Sequence, residues 1–506
     1  MSQRFVIRRF VHCLSFAAVL LSVLAWLLAD GGKANGQSDN STDNQDLPVL
    51  ELNQTVKHEI PAGKNYSYQV RLEAGMFVMF EAVFSQNSAQ LALYSSEGEL
   101  IYRQWRGGRA VSAGLLQNLK RVIETSDAYR LELSAKADQK AASIYELKIA
   151  ELRPATETDR ALQTAEANQR KASHLSEQER KFDEAIALGE PTLATYLKLL
   201  PPDAGDIGNL AIVLQNAYAS RGYHRDLERR EQLLEIAARN REAMFGPDNL
   251  HVAVLYNWLA ELADPVRAEK WFQKTMDIVV KNVGREHSYV ASVIGGWAIS
   301  IEALGDKPRA AEMYQRAVQL MEKAEGPEYP MLCPLLINHG QMLMDKQELA
   351  AAEVCFQRVL PIVEKHPVGD HMESDPKALA LYSLAELNQR RGDFAQADVY
   401  QQKLLEEYKT TNRLPHDKVW ATAYQQRGNF AFARGRYEDA ERNFEQARKV
   451  LEMTGDSPEF ASLLRDWRKL HLLTGRVNKA VAAQRRALGM SETDLRRLLA
   501  YGSELQ

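Results

Sequence analysis

The stretch Arg309-Ala310-Ala311-Glu312-Met313-Tyr314-Gln315-Arg316-Ala317 decides the reading, because the chain keeps returning to it. Forty-two residues earlier stands Ala268-Glu269-Lys270-Trp271-Phe272, and forty-two later Ala352-Glu353-Val354-Cys355-Phe356. A small residue followed four positions on by a large apolar one makes a helix face suited to close packing. Taking that small residue as a marker gives Ala185, Leu227, Ala268, Ala310, Ala352, Ala397, Ala440 and Ala480. The intervals are 42, 41, 42, 42, 45, 43 and 40 residues. Glycine stands five positions before a marker at Gly222, Gly305, Gly392, Gly435 and Gly475, where a tight turn between two helices needs a left-handed residue. Twelve positions before a marker stand Ala298, Gly340, Ala385 and Gly428, small where two helices must approach. Loops of one kind recur between pairs: Gly246-Pro-Asp, Gly284-Arg-Glu-His287, Gly326-Pro-Glu-Tyr and Gly455-Asp-Ser-Pro458. Coincident periods of this kind specify a solenoid of helix pairs over 155–490, about seven to eight of them.

Upstream the period changes. Tyr66–Leu72, Phe77–Val83, Leu91–Ser95, Tyr129–Leu133 and Ile144–Ile149 alternate over strand lengths, with turn signals such as Ala74-Gly75 and Ser95-Ser-Glu-Gly98 between them. Residues 47–152 are therefore expected to form a small antiparallel β-sandwich. Arg106–Asn118, with Gly107, Gly108 and Gly114, is expected to be its one long loop. The fold class expected for the whole chain is mainly α, a right-handed superhelical solenoid preceded by that sandwich. A C-terminal helix is expected over 491–506.

Arg4, Arg8 and Arg9 precede the apolar run Leu14–Leu28, and a small polar stretch ending Ala34-Asn35-Gly36 follows. This order is that of a secretory signal cleaved before Gln37; fifteen apolar residues are the long end for a signal and the short end for a membrane span, so an uncleaved anchor through residues 10–28 is the alternative. Either way the bulk of the chain is placed outside the cytoplasm, periplasmic or extracellular, with 37–46 (QSDNSTDNQD) as a flexible tether. Asn-x-Ser/Thr sequons stand at Asn40, Asn53 and Asn65. With 63 basic and 67 acidic residues, a net charge of −4, the chain offers no basic field, and nucleic acid is not an expected partner. Cys333 and Cys355 fall on successive helices at positions that want small apolar residues, so core packing is expected of them, with a disulfide as the alternative.

The repeats resemble tetratricopeptide repeats, and the 42-residue period with its Gly-x-Asp/Glu loops is similar to the kinesin-light-chain-type subclass. Phe272, Tyr314, Phe356 and Phe444 supply the aromatic of the motif, and Gln401 and Gln484 depart from it. The stretch Tyr145–Arg160 (YELKIAELRPATETDR) resembles the junction of bacterial CHAT-type caspase-like proteins, in which an exported pre-peptidase-type sandwich leads into such repeats and then a peptidase domain. Leu495-x-x-Leu498-Leu-Ala500-Tyr-Gly502 is similar to the segment that introduces that domain, so the resemblance assigns every catalytic residue of the family to sequence beyond Gln506.

No Gly-rich phosphate loop, His-Glu-x-x-His or Gly-x-Ser-x-Gly is present, so no enzyme activity and no cofactor are expected of this chain. The weak metal candidates are His366, Asp370 and His371, in a loop that also reads as a solvated, cap-rich turn. His251, His287 and His416 recur in inter-repeat loops, where capping explains them. Arg225–Arg230 and Arg485-Arg486 read as solvated helix surface. The expected function is an exported scaffold that binds a protein or peptide on the concave face of the array, with Asn257, Asn338, Asn388 and Gln425 on the solvent side of the first helices as lining residues. Two alternatives accompany it: the recognition half of a CHAT-type peptidase system, and an envelope or glycan binder using Tyr66, Tyr102 and Trp105 of the sandwich.

Overall fold

The computed structural model describes residues 47–61, 63–84, 89–103, 109–111, 114–135, 143–221, 226–366, 375–410, 418–454 and 458–488. The chain divides into two compact units, one up to Asn240 and one from Arg241.

The first unit opens with nine strands: β1 (Thr55–Ile60), β2 (Asn65–Leu72), β3 (Met76–Phe84), β4 (Ala89–Tyr94), β5 (Leu100–Arg103), β6 (Arg109–Val111), β7 (Gly114–Val122), β8 (Asp127–Ala135) and β9 (Ser143–Pro154). They form two antiparallel sheets, ordered β1-β9-β3-β7-β6 and β2-β8-β4-β5. Alternation aims one face of each strand inward. Phe80, Ala82 and Phe84 of one sheet meet Val70, Leu91 and Leu131 of the other in a single core. Across it the buried hydroxyls of Tyr68 and Tyr145 hydrogen-bond at 2.7 Å. The loop expected over Arg106–Asn118 is corrected in part: β7 pairs with β3 from Phe77↔Val122 to Phe84↔Leu115. Gln117, buried beside Leu119 on the inward face, breaks the apolar alternation that would have announced the strand. Residues 104–108 lie outside the described residues.

Four helices complete this unit: α1 (Glu157–Glu177), α2 (Phe182–Leu199), α3 (Gly205–Arg221) and α4 (Leu227–Phe245), the last running across the boundary. α1 starts where Pro154 ends β9. Thr156 and Asp159 form a reciprocal capping box, each side chain accepting from the other's backbone N–H. Glu190 of α2 receives Arg229 of α4 (2.6 Å) and the Tyr218 hydroxyl of α3 (2.9 Å).

The second unit continues with α5 (Leu250–Leu262), α6 (Pro265–Val283), α7 (Ser288–Ala303), α8 (Lys307–Glu325), α9 (Leu332–Asp345), α10 (Leu349–Lys365), α11 (Pro376–Arg391), α12 (Phe394–Thr410), α13 (Lys418–Ala433), α14 (Tyr437–Thr454) and α15 (Pro458–Leu473). A helix over 477–488 closes the described residues. Every marker alanine from Ala268 to Ala480 is buried. The aromatic four positions on explains the small residue sixteen before it: a Cβ built on Gly340 would lie 2.6 Å from the Phe356 ring. The turn residues Gly305, Gly392, Gly435 and Gly475 have φ between 71° and 90°, and Gly222 lies outside the described residues. Among the described residues no helix is long and apolar enough to cross a membrane, and residues 10–28 are not among them.

Candidate functional site

Two sets of polar contacts repeat along the second unit. In the first, an acid one position after the marker reaches an arginine of the following pair: Glu269–Arg309 (2.9 Å), Glu353–Arg391 (2.5 Å), Asp398–Arg434 (3.6 Å) and Glu441–Arg476. In the second, the acid of the Gly-x-Asp/Glu loop accepts from a lysine near the end of the second helix of the pair that follows: Asp248–Lys281, Glu286–Lys323 and Glu328–Lys365. The Lys365 ammonium holds the Glu328 carboxyl below its ordinary range. So the loop acids close three pairs, and the marker acids join four pairs to the one that follows, α8 having Ala311 in place of the acid.

The four candidate lining residues require a correction. Asn257, Asn338, Asn388 and Gln425 are buried, none more than 4% exposed, and are not on the solvent side. Burial is tolerated because hydrogen bonds replace those to water. Asn257 Nδ2 donates to Glu261 Oε1 (2.7 Å) and Asn388 Nδ2 to the Leu384 carbonyl (2.8 Å). Gln425 Nε2 donates to Asp466 Oδ2 (2.7 Å), which also accepts from Asn429 Nδ2 (2.8 Å), so α13 and α15 are stitched by polar side chains. The four stand 11, 14, 9 and 15 positions before their markers, so Asn257, Asn338 and Gln425 share one helix face, a buried one, and Asn388 lies on another.

Exposed polar side chains converge elsewhere. A surface groove of about 1020 Å³ is lined by Asp398 and Gln402 of α12, Arg427 and Ala431 of α13, Arg436 of the turn, and Glu438, Asp439, Glu441, Arg442, Asn443, Glu445 and Gln446 of α14. The Phe444 face turns the other way, into the core with Ala440 and Ala447, which leaves the intervening charged positions of α14 to solvent. Glu445 is held below the ordinary carboxylate range first by hydrogen bonding from Arg448. Arg427, Glu438 and Arg442 are exposed. Sequence reading missed this groove because alternating charge on a helix is ordinarily solvated surface; only convergence of three helices distinguishes it.

At the sandwich, Tyr102 is not an open stacking face. Its hydroxyl donates to Glu166 Oε1 of α1 (2.6 Å), and its ring lies between the guanidinium groups of Arg121 (4.5 Å) and Arg170 (4.7 Å). Burial, then the neighbouring Glu166 carboxylate, pushes the Tyr102 hydroxyl far up, and burial pulls Arg121 down. Tyr66 is exposed and stacks on His58 at 6.3 Å between centroids; Trp105 lies outside the described residues.

His366 follows α10 at its C-terminal end and is exposed, whereas Asp370 and His371 lie outside the described residues. Among the described residues no group of three His, Cys, Asp or Glu side chains could hold a metal. His287 caps α7, its Nδ1 accepting from the Tyr289 N–H (3.0 Å). Cys333 and Cys355 are free and buried, and burial pushes their thiols up to about 12 and about 11, the reverse of an activated nucleophile. Arg229 is paired with Glu190, and Arg486 covers the Phe460 ring at 4.5 Å.

The family model for the tetratricopeptide repeat matches residues 420–454, which are α13 with α14. Among solved structures the chain is similar to BtubC from P. vanneervenii, at 19% identity over 51% of this chain and 94% of that one, with a TM-score of 0.36. It is similar to kinesin light chain repeats from Podosopora anserina, at 17% identity over 42% and 100% with a TM-score of 0.34. A tetratricopeptide repeat protein from Parabacteroides merdae ATCC 43184 shares 19% identity over 56% and 93%, with a TM-score of 0.36. No curated protein matches the chain. The chain thus carries tetratricopeptide repeats, a scaffold suited to protein interaction.

Proposed function

We propose that this protein is an exported interaction scaffold that receives a segment of a partner protein in the groove between α12, α13 and α14. The observation that carries the reading is the convergence of exposed Arg427, Glu438 and Arg442 from two helices on one groove of about 1020 Å³. Charges of both signs along such a groove favour a partner segment with an alternating charge pattern, bound by many modest contacts and weakened by salt. Export rests on the order of Arg4, Arg8 and Arg9, the Leu14–Leu28 run and the small residues before Gln37.

The test is affinity capture with the full chain from the exported fraction, run against Arg427→Glu and Arg442→Glu. Partners retained by the wild type and released by both reversals, at unchanged thermal stability, support the reading. Equal retention by wild type and variants, or none by either, removes it. N-terminal sequencing of the protein recovered outside the cytoplasm checks cleavage before Gln37, and recovery only from the cytoplasm removes the export part.

A second reading is favoured by the strand-to-helix junction. β9 passes within two residues into α1, and Arg153 clamps Asp159 with two hydrogen bonds (2.5 and 3.1 Å) in the stretch that resembles CHAT-type proteins. On this reading the chain is the recognition half of a peptidase system. A caspase-like reading frame in the DNA downstream of the Gln506 codon supports it, and its absence there and from neighbouring genes removes it.

A further inference from the structure

α1 turns two different faces to its neighbours. On one, Gln169 accepts from the buried Tyr196 hydroxyl of α2 at 2.9 Å. On the other stand Asp159, Gln163, Glu166 and Arg170, spaced four, three and four residues apart and so in one stripe, about a third of a turn away from Gln169. Every member of the stripe meets the sandwich. Asp159 is gripped by Arg153 of β9, whose guanidinium also covers the Phe77 ring of β3 at 4.4 Å. Gln163 takes both backbone groups of Val122 at the end of β7. Its Oε1 accepts from the Val122 N–H (2.8 Å) and its Nε2 donates to the Val122 carbonyl (3.3 Å), as a neighbouring strand would do. Glu166 accepts from the Tyr102 hydroxyl of β5 with one oxygen and from Arg121 of β7 with the other (3.1 Å). Arg170 lies on the Tyr102 ring and pairs with Glu166 at 2.7 Å.

The short strap between β9 and α1 adds little slack. The Ala155 N–H donates to the Gly75 carbonyl (2.8 Å), and the Gly75 N–H donates to the Ile123 carbonyl (2.8 Å). No residue of α1 belongs to the apolar core of the sandwich among the described residues, so the joint is made by polar groups, which fix direction more strictly than apolar contact does. Glu166 matters most among them. The Arg121 side chain is 12% exposed, and removing the carboxylate that meets it leaves a desolvated guanidinium uncompensated. Beyond α1 the packing stays close: a Cβ built on Gly189 of α2 would lie 2.7 Å from Leu214 of α3.

We propose that Asp159, Gln163, Glu166 and Arg170 form a clasp that holds the sandwich, α1, α2 and α3 as one rigid body, with Glu166 as the group on which the clasp depends. The sandwich is then a positioning base and not a freely swinging domain: whatever fixes the sandwich in space also sets the direction of α2 and α3.

The experiment is a spin-label distance measurement in the full chain carrying Cys13→Ser. Labels go on Glu97→Cys in the β4–β5 turn and Lys198→Cys in α2, both exposed; Cys333 and Cys355 are buried and stay in place. The pair Lys64→Cys with Glu97→Cys, both within the sandwich, supplies the width of a rigid reference. The distance distribution from sandwich to α2 is expected to have one maximum and to be no wider than that reference. A wider distribution, or one with two maxima, would overturn the proposal. Gln163→Ala with Glu166→Ala is expected to widen it roughly twofold, because units of one chain move against each other unless an interface holds them, while hydrogen exchange in β3 and α2 stays as in the wild type. An unchanged width in that variant would overturn the clasp, and so would lost protection in β3, which would make α1 part of the fold of the sandwich itself. Glu166→Gln keeps an acceptor for Tyr102 and gives up the charge facing Arg121 and Arg170, so its width is expected to fall between those of wild type and double variant. A wild-type width there would overturn the role given to Glu166.

Discussion

In the sandwich, the Tyr68 hydroxyl bonds to Tyr145, 77 positions later in the chain, whereas in the array the Phe356 ring presses on Gly340 of its own helix pair. The sandwich core is one cluster drawn from strands far apart in sequence, so no strand keeps its surroundings if another leaves. The array has several small cores, such as Ala310 with Tyr314 and Met342, or Ala352 with Phe356 and Leu384, each drawing on adjacent helices. A defect in the first region should be felt throughout it; a defect in the second should stay near its pair.

Equal truncations break or sharpen that contrast most directly. Phe80→Ala and Phe356→Ala each remove a fully buried ring, at a cost of about 3–5 kcal/mol. Hydrogen exchange should then show protection lost from β1 through β9 in the first variant, and only from α9 to α11 in the second. Protection lost from α5 to α15 in Phe356→Ala would make the array a single cooperative body.

Next in size is Gly340→Ala, whose Cβ would collide with Phe356. Overpacking of this kind costs about 1–3 kcal/mol, read as a lowered melting temperature, and Phe356→Leu in the same chain should recover part of it.

A gain is expected at the one buried position where the motif fails. Gln401 stands where the neighbouring repeats have Phe356 and Phe444, is 3% exposed, and neither its Nε2 nor its Oε1 has a hydrogen-bond partner. Replacing an unsatisfied amide by an apolar ring should stabilise by about 1 kcal/mol. Chemical denaturation of Gln401→Phe measures this, and a loss instead would mean that Ala385 leaves the ring no room.

The smallest effect concerns pH. Hydrogen bonds from Arg153, with Thr156, hold the Asp159 carboxyl well below its ordinary range. A carboxyl depressed on folding stabilises above its unfolded pKa of about 4 and loses that contribution as pH falls toward its folded value. Asp159→Asn should therefore flatten the acid limb of the stability curve below about pH 4, while leaving a modest deficit at neutrality.

The repeat architecture was legible because packing geometry demands particular residues at fixed positions. Ala268, Ala310 and Ala352 are fully buried, and Gly305 and Gly392 carry the positive φ of the turns that end α7 and α11. β7 was hidden because Gln117 takes an inward position, and composition cannot show that a buried amide is acceptable there. The lining residues failed for a related reason. An Asn or Gln on a helix is expected to face water, whereas Gln425, together with the neighbouring Asn429, donates to Asp466 on another helix. The groove of α12 to α14 depends on where side chains from three helices converge, which a single helical period does not encode.

The acids that follow the marker alanines have a further consequence. Since Glu269 reaches Arg309 and Glu353 reaches Arg391, excising residues 310–351 in frame would bring Ala352-Glu353 directly after Arg309 and leave both pairings available. Four joints are written in the same short code, and the joint after α8, with Ala311 in place of the acid, is the one this excision removes, so the array can lose that unit by unequal recombination without inventing a new interface. Its length is open to selection in steps of one repeat, independently of the residues that give any single repeat its surface.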